Sequence, residues 1–114
     1  MVENKPIIKV AFWKFKEAYY SLSPKERNDI NDKLLEKLNE LGIKSLIWCE
    51  CYWSCAEWVF FAVHEHPDIQ TVQKFEEYLF EIGWQMVADS KMYLGTRITA
   101  ETMEETMKRY IAMK

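Results

Sequence analysis

One stretch of the chain, residues 43–66, constrains the fold more than any other. It reads IKSLIWCECYWSCAEWVFFAVHEH and holds three of the five tryptophans, all three cysteines and both histidines. Its two runs of aromatic and β-branched residues meet at Ser54-Cys55, and such residues favour β-strands. The stretch therefore predicts a β-hairpin in the middle of a sheet that the rest of the chain covers.

A two-residue turn at Ser54-Cys55 would fix the register of this hairpin and the membership of its two faces. It sets Cys49 opposite Phe60, and the face that holds both residues is apolar throughout, so we expect that face to lie against helices. The opposite face is aromatic with carboxylates set into it, and it comprises Leu46, Trp48, Glu50, Tyr52, Glu57, Val59, Phe61 and Val63.

Two further segments predict strands. In residues 6–15, Ile8, Val10 and Phe12 alternate with a second set that is also largely apolar, a pattern typical of a central strand covered on both faces. Residues 91–98 alternate in the same way and predict the last strand.

Three segments predict helices, two of them with clear end signals. Ser23-Pro24-Lys25-Glu26 forms a capping box ahead of a leucine stripe that ends at Gly42. Asp68 caps a second helix that ends at Gly83. Thr99 precedes a short C-terminal helix with methionines on one side.

The resulting order is β-α-β-β-α-β with an added helix, which is the α+β, ferredoxin-like arrangement. We expect one domain over residues 1–114, with a core at about 6–98 and a C-terminal helix at about 99–113. Both helices would cover one face of an antiparallel sheet and leave the other face bare. Two such bare faces can pack together as a dimeric α+β barrel, so we predict a homodimer or a higher homo-oligomer.

Three strings resemble the chlorite-dismutase-like family. They are YYSLSPKER before the first helix, EWVFFAVHEHPDIQTVQKFEEYL across the third strand and second helix, and SKMYLGTR in the last strand. More broadly they resemble the dimeric α+β barrel superfamily, which also holds small antibiotic-biosynthesis-type monooxygenases. The resemblance covers residues 6–98.

This resemblance carries an implication about haem. Chlorite-dismutase-like proteins usually have two such repeats, and the second binds haem through a histidine on its first helix. The present chain has one repeat, which looks more like the haem-free first half. Its first helix, residues 24–41, contains no histidine. Haem is possible by resemblance, but without the matching ligand we expect no cofactor.

The cysteines and histidines of residues 43–66 suggest a metal site at first sight. In the predicted register, however, His64 pairs near Ser45, six residues from the Cys51–Trp58 pair. At ~3.3 Å per residue this separation is on the order of 20 Å, too far for one ion. We therefore expect the cysteines to pack as small apolar side chains and expect no metal site.

The carboxylates on the aromatic face of the hairpin are the best candidates for chemistry. Glu50 among aromatic rings would have a raised pKa and could transfer protons, and His64 is the second candidate proton acceptor. The alternative is that Glu50 and Glu57 sit at the solvated end of the hairpin or pair across a dimer interface, and that His64 has only a structural or solvent-exposed role. The predicted ligand-binding residues are Trp48, Glu50, Tyr52, Phe61, Tyr93 and Arg97.

Charge and hydropathy exclude two classes of partner. The net charge is −3 and the chain has no basic stripe that could displace counterions from nucleic acid. Its longest uncharged apolar run is about seven residues, against the ~20 of a membrane-spanning helix. An odd number of cysteines and an N-terminus with an early glutamate favour a cytoplasmic protein.

The function that this pattern and resemblance favour is the binding of a small, largely apolar or aromatic molecule without haem. One alternative is a small cofactor-independent monooxygenase or isomerase, so whether the protein is an enzyme stays open. Another is a structural or regulatory subunit whose apolar face serves association.

Overall fold

The structure is a computed structural model that describes residues 5–113. Within these residues there are four strands and five helices. In chain order they are β1 (Ile7–Phe15), α1 (Glu17–Tyr20), α2 (Pro24–Glu40), β2 (Lys44–Glu50), β3 (Phe60–His66), α3 (Ile69–Glu81), α4 (Trp84–Val87), β4 (Ala88–Gly95) and α5 (Ala100–Met113).

The four strands form one sheet in the order β2-β3-β1-β4, and all neighbouring strands are antiparallel. β1 lies between β3 and β4, as its two apolar faces predict. The helices α2 and α3 pack on one face of this sheet. The predicted ferredoxin-like α+β fold is confirmed.

The two long helices begin where the capping residues predict. Ser23 Oγ accepts from the Glu26 amide at 3.2 Å, and the Ser23 amide donates to Glu26 Oε1 at 3.0 Å, which completes the capping box. At the start of α3, Asp68 Oδ1 accepts from the Thr71 amide at 2.9 Å. Gly42 follows α2 with a φ of 70°, a conformation that costs glycine little.

The apolar core lies between these helices and the sheet. Leu38 of α2, Phe75 of α3 and Ile43 are buried together, and further leucines of both helices pack against them. The leucine stripe of α2 therefore packs into the core, as its spacing predicts. Leu35 of α2 is 54% exposed and lies outside the core.

The two-residue turn predicted at Ser54-Cys55 is wrong. β2 ends at Glu50 and β3 begins at Phe60, so residues 51–59 form a longer loop. The Cys51 amide donates to the Val59 carbonyl at 2.8 Å at its base. Ser-Cys offers neither residue that favours the positive φ of a tight hairpin turn, which explains the longer connection.

The predicted register is right at one end of the β2–β3 pair and wrong at the other. Ser45 lies opposite His64, as predicted, but beyond an irregularity between Ser45 and Ile47 each β2 residue is displaced by one. Cys49 consequently lies opposite Phe61 instead of Phe60. A β-bulge adds one residue to one strand, and this exchanges the faces of every later residue in that strand.

This displacement changes which side chains face the helices. Trp48 lies opposite Ala62, and Glu50 lies opposite Phe60, so both belong to the helix-covered face and not to the bare face predicted for them. Cys49 instead lies on the bare face, where an apolar helix-side position was predicted. We call the face away from α2 and α3 the outer face.

The C-terminal part also differs in detail from its prediction. The last strand runs from Ala88 to Gly95, three residues earlier than residues 91–98, and the short helix α4 precedes it. α5 matches the predicted C-terminal helix. All residues of α5 belong to the described part of the chain, and none of their side chains is buried. Its apolar stripe is open to solvent, with Met103, Met107, Tyr110 and Ile111 between 44% and 69% exposed.

None of the helices between residues 5 and 113 combines the length and the hydropathy that crossing a bilayer requires.

Replacing the capping residue of α2 should lower the free energy of unfolding. Ser23→Ala removes the oxygen that accepts from the Glu26 amide, and we expect a loss of about 1 kcal/mol, measured by urea unfolding. Ser23→Asp keeps an acceptor at this position and should unfold as the unaltered protein does. Equal loss in both variants would contradict this role for the capping oxygen.

Candidate functional site

A cavity of about 180 Å³ lies between the sheet and the helices α2 and α3. Its walls are mostly aromatic and aliphatic. Polar side chains from β1, β3 and α3 also reach it. The lining residues that give the cavity its chemical character are Trp13, Trp48, Trp84, Phe75, Lys9 and His64.

The aromatic walls of this cavity come from three strands and two helices. The Trp48 ring meets the ring of His64 edge-on at 5.1 Å between centroids and the ring of Trp13 at 5.8 Å. Trp84 belongs to α4 and Phe75 to α3, and both are buried. Such walls suit a small apolar or aromatic ligand, because they offer ring faces and little hydrogen bonding.

Lys9 is the most unusual group in the cavity. Its side chain is 1% exposed, yet it lies in the middle of the central strand. Its ammonium Nζ is 3.4 Å from Glu76 Oε1 on α3 and 4.5 Å from the centroid of the Phe75 ring. Burial lowers the pKa of Lys9, and the charge and hydrogen bond of Glu76 act in the opposite direction.

His64 lies directly opposite Lys9 in the sheet and shares its face. It is 4% exposed, and its Nδ1 finds no hydrogen-bond partner among residues 5–113. Burial, reinforced by the charge of Lys9, lowers the pKa of His64 to about 4. The imidazole is therefore neutral near pH 7 and has an unused ring nitrogen.

His66, two residues on, is fully buried on the same face. Its Nδ1 is 3.2 Å from Thr71 Oγ1, and its Nε2 is unpartnered within the described residues. Burial and then the charge of Lys9 lower its pKa to about 4 as well. The cavity thus has a polar floor of one buried amine beside the neutral imidazole of His64, while His66 lies next to them outside the cavity lining.

The structure does not bring the six predicted ligand-binding residues together. Trp48 lines the cavity. Glu50 lies at the exposed end of β2 outside the cavity lining, and Tyr52 is in the 51–59 loop, 62% exposed. The remaining three lie on or beside the outer face, and they are Phe61, Tyr93 and Arg97.

On the outer face, aromatic rings from three neighbouring strands form a second cluster. The Phe12 ring lies 5.5 Å from Phe61 and 6.2 Å from Tyr93 between centroids. Arg97 donates to Glu65 Oε1 at 3.1 Å at one side of this surface. Tyr93 and Arg97 therefore line a shallow, open pocket on the outer face, Phe61 lies on the same face, and none of the three belongs to the cavity between sheet and helices.

Of the two predicted proton acceptors, His64 reaches the cavity and Glu50 does not. The cysteines are free, and Cys51 is buried with its Sγ 3.6 Å from the Trp58 carbonyl oxygen. Among residues 5–113 no three His, Cys, Asp or Glu side chains are grouped so that they could hold a metal ion.

The sequence reasoning missed Lys9 and Glu76. A signal for Lys9 was present, because a lysine in a strand predicted to be covered on both faces must be buried. No comparable signal marks Glu76. It lies on an amphipathic helix where a glutamate is ordinary, and its partner is 67 residues away in the chain.

Acid should destabilise the fold before most carboxylates titrate. The two histidines have a pKa of 6.5 in an unfolded chain and about 4 in the fold, so the unfolded state binds more protons between these values. The stability they confer is complete above pH 6.5 and is lost as the pH falls towards 4. We expect a loss of about 2 to 3 kcal/mol per histidine between about pH 7 and about pH 4.5.

Urea unfolding at several pH values measures this loss. His64→Gln should weaken the dependence on pH in this window, because the amide does not titrate. A free energy of unfolding that stays constant down to about pH 4.5 would contradict the neutral, buried state of both rings.

The fold and its cavity can be compared with those of known proteins. No family model and no curated protein matches the sequence. Solved structures do match. A provisionally assigned chlorite dismutase shares 18% identity at a TM-score of 0.68, over 89% of this chain and 49% of that one. A double mutant of the chlorite dismutase from Candidatus Nitrospira defluvii shares 10% identity at a TM-score of 0.69, over 97% of this chain and 49% of that one.

A single mutant of the same Candidatus Nitrospira defluvii enzyme also matches at a TM-score of 0.69, with 10% identity over 96% of this chain and 48% of that one. The chain spans about half the length of the structures it matches. At these identities the likeness concerns the backbone and not the chemistry of the site. The predicted resemblance is confirmed at this level: the protein has a chlorite-dismutase-like fold.

Proposed function

We propose that the protein binds a small, largely apolar or aromatic molecule in the cavity between its sheet and its helices. The observation that carries this proposal is the cavity itself, about 180 Å³ with walls that include three tryptophans. An apolar cavity of about 150 Å³ in another protein takes up benzene, so this volume suits a single ring. The polar floor around Lys9 and His64 would orient a ligand that has one polar group.

The ligand is bound without haem in this proposal. The cavity is smaller than the roughly 300–1,000 Å³ of pockets that hold larger organic ligands. α2, the helix that corresponds to the family's haem-ligand position, has no histidine. Both features support a haem-free role.

A second candidate is an isomerase or cofactor-independent monooxygenase in which His64 accepts a proton. It is favoured by the unpartnered Nδ1 of His64 and by the neutral state of that ring near pH 7. Glu50 is a weaker candidate for this role, since it lies outside the cavity lining. Entry of solvent deuterium into a bound small ketone, lost in His64→Gln, would be the sign of this activity.

We further propose that two copies of the chain associate through their outer faces. This face is uncovered by helices and carries Phe12, Phe61 and Tyr93, with Tyr93 56% exposed and Ile47 51% exposed. Contiguous apolar surface of this kind marks an interaction site. The matched structures have about twice the length of this chain, which leaves room for a second copy to supply what their second half does.

A cytoplasmic location and the absence of nucleic-acid and membrane partners stay predictions from the sequence. The role of a purely structural or regulatory subunit would follow if the outer face associates and the cavity takes up nothing.

Filling the cavity with a larger side chain should weaken ligand binding. Toluene is a suitable probe, and its uptake should change the fluorescence of the tryptophans that line the cavity. Ala11 lies in the cavity wall, and Ala11→Leu should weaken toluene binding by about tenfold or more, because the added side chain occupies the ligand's place.

Ala18→Leu is the matched control. Ala18 lies in α1, is exposed and does not line the cavity, so the same enlargement there should leave the affinity unchanged. Absence of any toluene binding by the unaltered protein would sink the ligand-binding proposal.

A charge on the outer face should dissociate the proposed dimer. Sedimentation at micromolar protein concentration should show at least two chains for the unaltered protein and one chain for Phe61→Glu, because a carboxylate cannot be buried there without a partner. Phe80→Glu makes the same change at a residue of α3 that is 72% exposed, and it should leave the assembly intact. A monomeric unaltered protein would refute the dimer.

A further inference from the structure

The buried amine of Lys9 is not explained by packing. A lysine is rarely buried unless it is paired, and its partner here is Glu76, at 3.4 Å and 38% exposed. A buried ion pair usually adds little stability over an apolar pair of similar size. The pair also brings a nucleophilic nitrogen into an otherwise apolar cavity. This placement calls for a chemical role.

The surroundings of Lys9 favour the neutral amine more than water does. Its Nζ lies 4.5 Å from the centroid of the Phe75 ring, in a cavity walled mainly by indole rings and aliphatic side chains, whose polar lining residues include His64 and Lys91. Burial lowers the pKa of Lys9, while Glu76 opposes this effect. Desolvation in an apolar pocket is one of the recognised ways in which proteins activate a lysine as a nucleophile.

We propose that Lys9 captures a small carbonyl compound in this cavity as an imine. The inference rests on the proposed ligand-binding function and names its ligand class as an aldehyde or ketone. The volume of about 180 Å³ and the aromatic walls limit the carbonyl compound to roughly one ring.

The groups around Lys9 can move the protons that this reaction requires. Glu76 Oε1, hydrogen-bonded to Nζ, takes a proton from the ammonium and leaves a free electron pair on the nitrogen. That pair attacks the carbonyl carbon, a C–N bond forms, and the carbonyl π electrons move to the oxygen. Transfer of one proton from nitrogen to oxygen gives a neutral carbinolamine.

Loss of water completes the reaction. The carbinolamine hydroxyl takes a proton from Glu76, the C–O bond breaks and water leaves. The nitrogen electron pair forms the C=N bond, and the nitrogen then holds the charge that the ammonium held before. The overall change is amine plus carbonyl to imine plus water, and no oxidant or reductant is consumed. His64, opposite Lys9 on the same face, is placed to accept a hydrogen bond from the hydroxyl of the intermediate.

Reductive trapping tests this inference. The protein is incubated near neutral pH with benzaldehyde and cyanoborohydride, which reduces an imine to a stable benzylamine, and peptide mapping by mass spectrometry locates the product. We expect Lys9 to be modified faster than Lys16. The cavity holds the aldehyde beside the Lys9 amine and raises its local concentration there, so a rate ratio of about ten or more is expected.

Lys16 is the matched control. Lys16 directly follows β1. Its ammonium group also pairs with a carboxylate, that of Asp89, at 3.7 Å, but its side chain is 41% exposed. The rate comparison between the two lysines is made within the unaltered protein and does not depend on any variant folding. Lys16→Met should leave the Lys9 product unchanged, and Lys9→Met and Lys9→Arg should remove it.

The outcomes separate this inference from the function on which it rests. Binding of toluene and benzaldehyde in the cavity with no product at Lys9, or with a rate no faster than at Lys16, overturns the imine and leaves the ligand-binding function standing. Failure of both molecules to bind overturns both proposals. Rapid, selective modification of Lys9 that toluene inhibits supports both.

Discussion

The burial of a single ammonium group, that of Lys9, determines much of how this molecule is arranged. Removing an ion from water costs several kcal/mol unless a partner compensates it. Glu76 is that partner, which ties α3 to the central strand across the core. The same charge, added to burial, keeps His64 and His66 neutral. Burial is the larger cause of both lowered pKa values, and the charge of this one ion pair adds to it.

The parts of the fold that depend on local rules could be predicted from the sequence. The capping box at Ser23 and the cap at Asp68 depend on neighbours within three residues, and both helices begin where these residues predict.

The outer position predicted for Trp48 was wrong because a β-bulge has no sequence signature of its own. The ion pair of Lys9 was missed for a different reason, since it joins residues far apart in the chain and only the folded sheet brings them together. Of the candidate site, Trp48 and His64 were predicted from the sequence, but Trp48 was assigned to the wrong face and the buried setting of His64 was not predicted.

The molecule has two distinct apolar regions, which explains how a small domain accommodates its high aromatic content of 15%. One is the cavity, where rings face inward around polar groups. The other is the outer face, where rings of Phe12, Phe61 and Tyr93 form a flat cluster open to solvent. The first suits a small molecule and the second suits a protein surface. Because β1 contributes side chains to both regions, any change in its pairing would move side chains on both faces of the sheet.

The irregularity between Ser45 and Ile47 determines which side chains of β2 belong to each of these two regions. That one additional residue determines the orientation of every later residue of β2, and it directs Trp48 towards the cavity. If the same residues continued the register of Ser45 without the irregularity, Trp48 would lie opposite Phe61 on the outer face and Cys49 opposite Phe60 on the helix-covered face. Relatives of this protein could therefore diverge in specificity through a change in strand register, with no substitution at any residue that lines the cavity. Sequence comparison by substitution alone would not reveal such a divergence.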